Sequence, residues 1–98
     1  MNDLLETFRV VDGYDRSKTP REITVRKFTL DDIERLETGR GEVLILDRHG
    51  KARRARLNGG LKRWKRDATR FEQSFSYGMY EHFRLTTQEM LDQLVVEV

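Results

Sequence analysis

The sequence predicts an α+β domain that is mostly β, and three observations carry the prediction. Ninety-eight residues suffice for one domain with a modest core. From Glu42 onward, short apolar or alternating runs recur between tight turns. Two segments, Thr29-Leu30-Asp31-Asp32 and Thr86-Thr87-Gln88-Glu89, carry the start signals of short helices.

Taking the elements in order, Glu6–Val11 and Glu22–Phe28 read as two strands able to pair. In the second, Ile23 and Val25 alternate with Thr24 and Arg26, the pattern of a half-buried strand. Between them, the polar stretch 12–21 holds the only proline, Pro20, and is expected to be a mobile loop. Residues 29–37 predict a helix. Thr29 is its N-cap, Asp31 and Asp32 suit its dipole, Phe28 staples onto Ile33, and Gly39 and Gly41 end it.

Glu42–Asp47 follows as a strand whose four consecutive apolar residues, Val43 to Leu46, imply burial on both faces. Asp47-Arg48-His49-Gly50 is a hairpin turn into a strand at Lys51–Leu57. Asn58-Gly59-Gly60 turns the chain into Leu61–Lys65, and Asp67–Arg70 is expected to turn it again before Phe71–Phe75. Tyr77–Leu85 reads as one further strand, with Gly78 a bulge or bend. The final helix opens on a capping box, Leu85 staples onto Met90, and Leu91, Leu94 and Val95 extend its apolar stripe. Val95–Val98 has an alternative reading as a terminal edge strand. Short strands at near-regular spacing with tight turns predict a small SH3-like or OB-like, partly open barrel or meander, with a short internal helix and a C-terminal helix.

Composition narrows the function classes. The aromatics recur from Phe8 to Phe83, enough to support folding and to exclude disorder. No apolar run approaches the length of a membrane span, and MNDLLETF lacks the regions of a signal peptide. With no cysteine there is no disulfide, thiol or Cys-zinc chemistry, and a cytoplasmic location is expected.

Charge is distributed unevenly. Residues 48–66 hold nine Lys/Arg and no acid. The other ten basic residues face all seventeen acids, so +9 in the segment stands against −7 elsewhere, for a formal +2. Such a block focuses positive potential on one region, the footprint of a polyanion contact. The candidate nucleic-acid contacts are Arg48, Lys51, Arg53, Arg54, Arg56, Lys62, Arg63, Lys65, Arg66 and Arg70, with Trp64 as a stacking platform. Strand alternation puts Arg54 and Arg56 on one face and Lys51 and Arg53 on the other. A lone Trp is more often buried, and solvated strand faces balanced by Asp47, Asp67, Glu72 and Glu81 are the plainer reading of the block. The aromatic run Tyr77–Phe83 suits a stacking surface, but a barrel core uses such residues more often.

Other chemistry finds little support. His49 and His82 lack metal-ligand spacing, no glycine-rich loop precedes a helix, and no hydroxyl is tied to a base. The chain is expected to be a non-enzymatic binding module without cofactor, metal or membrane. Its basic segment would contact a nucleic-acid backbone. The alternative is a protein-interaction or self-assembly domain, docking an acidic protein or a second copy of the chain as a homo-oligomer. A small enzyme using His82, Glu81 and a tyrosine ranks third.

Overall fold

The computed structural model describes residues 6–12, 21–36 and 41–98. The elements in chain order are β1 (Thr7–Asp12), β2 (Arg21–Lys27), α1 (Leu30–Glu34), β3 (Glu42–Leu46), β4 (Lys51–Leu57) and β5 (Lys62–Trp64). They continue as β6 (Asp67–Tyr77), β7 (Glu81–Thr86), α2 (Thr87–Gln93) and β8 (Leu94–Glu97). Most of the expected loop, residues 13–20, and the helix stop Gly39 lie outside the described residues; Asp12 and Arg21 at the loop's flanks belong to strands.

The fold is α+β and mostly β, built around a closed five-strand barrel with two short helices. The barrel strands run in the order β1-β2-β8-β3-β4, and a short parallel contact of Val11 with Lys51 and Asp12 with Ala52 closes the ring. Val10, Ile23, Val25, Leu44, Ala52 and Val95 fill it. The remaining strands, β5, β6 and β7, extend outward from β4 as an appended sheet. A second, larger core lies between that sheet, the barrel wall and the helices. Phe28, Ile33, Phe71, Phe75, Met90 and Leu94 anchor it.

Both helix starts form as their residues dictate. Thr29 and Asp32 make a reciprocal capping box, and Thr86 and Glu89 make another. Arg26 reinforces the first by donating to both Asp32 oxygens at 2.7 and 3.1 Å. That hydrogen bond, joined by those from Thr29 and opposed by burial, holds the Asp32 carboxyl at about 2. Helix α1 is shorter than expected, ending at Glu34 with Arg35 as its C-cap.

Three further elements differ from expectation. Asp67–Arg70 is not a turn but the start of an eleven-residue β6; the reversal falls one step earlier, at Lys65-Arg66. Tyr77–Leu85 is not one strand, because residues 78–80 turn between β6 and β7. Gly78, at φ 67°, supplies the left-handed backbone that this turn needs. The last strand forms, but at the centre of the sheet instead of its edge. Leu94 leaves the helix in extended geometry, and Val95 and Val96 continue between β2 and β3. Their β-branched side chains favour strand once helix hydrogen bonding ends.

Candidate polyanion interface

Register places β4 and β5 on the same edge of β6. Glu72 pairs with Lys62 of β5 and with Thr86 of β7, so β5 and β7 flank β6 on opposite sides. Ser76 pairs with Arg56 of β4 and with His82 of β7, so β4 also lies opposite β7. Strands β4 and β5 therefore run end to end beside β6. A basic block contiguous in sequence becomes linear in space, along a strand about 33 Å long at roughly 3.3 Å per residue.

Alternation sorts the side chains. Phe71, Gln73, Phe75 and Tyr77 of β6 face the second core, with Leu57, Phe83 and Leu85 from its neighbours. The opposite face carries Arg70, Glu72, Ser74 and Ser76, joined by Arg56 and Lys62 on one side and His82, Arg84 and Thr86 on the other. Arg56, Lys62, Arg70 and Arg84 are all exposed there; Glu72 lies between Lys62 and Arg84, and Glu42 of β3 stands directly across from Arg56.

At the far end of this face stands Trp64. It is 40% exposed, not buried, and the Arg70 guanidinium lies 4.5 Å from its ring centre. A register shift between Arg63 and Trp64 lifts the indole out of the regular ladder. Lys65 and Arg66 form the exposed turn beyond it. The nearby Asp67 is occupied locally, accepting from the Thr69 hydroxyl at 2.7 Å and the Thr69 amide at 3.0 Å. Those bonds hold its carboxyl below the ordinary range.

Not every cation of the block joins the track. Arg53 stacks on Tyr77 at 3.9 Å and reaches Glu81 at 3.6 Å. Burial pushes the Tyr77 hydroxyl pKa up, and Arg53 partly offsets this. Arg54 turns toward the barrel and meets the buried Asp12 at 2.8 Å. Arg63 lies over Phe71 and near Glu34 at 3.8 Å. Arg48 and Lys51 are exposed at the β3–β4 end. The face thus brings together Arg56, Lys62, Trp64 and Arg70, with Lys65 and Arg66 at its tip.

Sequence reasoning missed Arg84, Ser74 and Asn58 as part of this surface. Two adjoining depressions of about 140 and 320 Å³ share Ser74 and Arg84 as walls; Gly60, Lys62 and Glu72 complete one, and Asn58, His82 and Phe83 the other. Their floor is held from below. The Asn58 amide donates to the Ser74 carbonyl at 2.8 Å, and buried Gln73 donates to the Gly59 and Ser74 carbonyls at 2.9 and 3.0 Å. His82 Nε2 lies 3.2 Å from the Met79 carbonyl, which can only accept, so that nitrogen carries the proton. Nδ1 then accepts from the Asn58 side-chain amide at 3.1 Å. Alternation in Glu81–Thr86 puts His82 and Arg84 on one side, but only the pairing with β6 places them opposite Ser76 and Ser74.

Among the described residues, no three His, Asp or Glu side chains gather as metal ligands, and no helix is long and apolar enough to cross a membrane. No family model matches the chain, and neither a curated protein nor a solved structure shows significant similarity to it.

Proposed function

We propose that the protein is a non-enzymatic module that binds a nucleic-acid backbone along the exposed face of β5–β6–β7. The observation that carries this reading is the collinear placement of β4 and β5, which sets Arg56 and Lys62 in a row beside β6, whose Arg70 stands at an exposed Trp64. Positive charge along a strand matches the regular charge of a phosphate backbone, and an exposed indole adds a sequence-tolerant stacking surface. The cysteine-free composition suits a cytoplasmic setting for such binding.

Fluorescence anisotropy with labelled mixed-sequence oligonucleotides tests it. Affinity should fall steeply with salt, with a log–log slope near about −3 if four phosphates are neutralised on a single strand. The double variant Arg56→Gln, Lys62→Gln should bind at least about tenfold more weakly, with a slope shallower by about 0.7 per lost cation. Undiminished affinity in that variant removes the proposal.

A second reading, docking to an acidic protein surface or another copy of the chain, draws on the β6–β7 tip. Met79 and Tyr80 stand there 79% and 89% exposed, and apolar tips of this kind anchor protein contacts. Concentration-dependent mass that dissociates in high salt, without oligonucleotide binding, would favour it.

A further inference from the structure

The depressions around Ser74 carry the reading above one step further, to the form of the ligand and to the point where it is gripped. Arg56, Arg84 and Lys62 stand level with Ser76, Ser74 and Glu72 respectively, alternating across β6. Successive levels are two residues apart, about 7 Å at the usual strand rise. An extended single strand spaces its phosphates at about this interval. The face is a sheet surface and presents no helix to enter a duplex groove, whereas sheet surfaces with an exposed aromatic suit unstacked bases.

We propose that this face takes single-stranded nucleic acid, with one phosphodiester seated at Ser74 between Arg84 and Lys62. This rests on the backbone-binding reading. Ser74 and Arg84 border both depressions, and Lys62 borders one of them. The Ser74 backbone is already fixed by the Asn58 and Gln73 hydrogen bonds, so the seat needs little ordering when a ligand arrives. Glu72 is the internal competitor. It sits directly across from Lys62, and its carboxylate lies 4.0 Å from Arg84. A phosphate entering the seat takes over Arg84 and meets Glu72 as a like charge, so Glu72 lowers affinity.

The opposed roles of Arg84 and Glu72 give a test that misfolding cannot imitate. An eight-nucleotide labelled oligothymidylate and a labelled sixteen-base-pair duplex are titrated against the wild type, Arg84→Gln and Glu72→Gln. Arg84 is 68% exposed, and its replacement should leave the fold intact. Arg84→Gln should weaken single-strand binding at least about fivefold and flatten the salt slope by about 0.7, the share of one phosphate contact. Glu72→Gln should tighten binding severalfold, and the duplex should bind more weakly than the single strand.

If both variants stay within twofold of wild type while Arg56→Gln, Arg70→Gln, which leaves the seat untouched, weakens binding, the seat is wrong and the backbone reading stands. Equal or tighter duplex binding overturns the single-strand assignment. If the wild type binds neither oligonucleotide at low salt, the backbone reading fails and the seat falls with it.

Discussion

The barrel and the appended sheet solve the same burial problem with different materials. Inside the barrel, Val10, Ile23, Val25, Leu44, Ala52 and Val95 form a small aliphatic plug. Under the appended sheet, Phe28, Phe71, Phe75, Ile33 and Met90 build a broader core, with Phe75 and Phe83 stacked at 5.6 Å between ring centres. The barrel strands curl their inner faces around one another. The appended sheet has one dry face and one face that folding does not require to be apolar. A strand with a free face holds polar groups without losing core contacts, and there Lys62, Ser74 and Arg84 collect, with Arg56 of the barrel strand β4 continuing the row. The exposed polar side chains of the candidate face thus lie mainly on the appended sheet, with Arg56 at its seam with the barrel.

The largest expected effect that bears on this division is in the broader core. Phe75→Ala should destabilise the protein by about 3–5 kcal/mol, and Ile23→Val inside the barrel by about 0.5–1.5 kcal/mol. Denaturant midpoints measure both; an equal loss at Ile23 would mean that the barrel plug is the less tolerant of the two.

A smaller effect comes from acid. Asp32 is held at about 2 by Arg26 and Thr29, below its ordinary 3.8, so its carboxylate favours the folded state. That stabilisation is fully present above about pH 4 and is lost as pH falls through about 2, on the order of 2 kcal/mol in all. Asp32→Asn should remove this part of the acid dependence, measured as the change in stability between pH 5 and pH 2. An unchanged profile would show that other carboxylates carry the dependence.

The smallest effect concerns the joint between the halves. Thr86→Ala removes the cap of α2, at a cost of about 1 kcal/mol. Because α2 connects the end of β7 to the barrel strand β8, hydrogen exchange should rise first across Thr87–Gln93. Uniform loosening of the appended sheet instead would mean that the halves unfold as one unit.

Legibility followed the same line. Local signals were readable: the capping boxes at Thr29 and Thr86, the turn at Asp47–Gly50, and the strand at Lys51–Leu57 with its alternating faces. Pairing was not. Asp67-Ala68-Thr69-Arg70 has turn-like composition, yet tertiary contacts make it strand. Trp64 pairs with Asp67, and the Thr87 hydroxyl receives the Phe71 amide at 2.6 Å, where β7 no longer runs alongside. The end-to-end alignment of β4 and β5 arises entirely from their common partner. For that reason the basic block was legible, but Arg84 opposite it was not. Arg54 shows the converse: it has the same residue type and the same strand as Arg56, but its partner Asp12 is remote in sequence.

The position of β8 between β2 and β3 bears on the order in which the molecule can be completed as it is synthesised. The hairpins β1–β2 and β3–β4 can form as soon as they leave the ribosome, but the edges of β2 and β3 that face each other stay unpaired until Leu94–Glu97 emerges. For about fifty residues of translation after β3, at the usual several residues per second, the nascent chain presents two open strand edges to its surroundings. The interval before the barrel closes is therefore when the chain is most exposed to edge-to-edge mispairing.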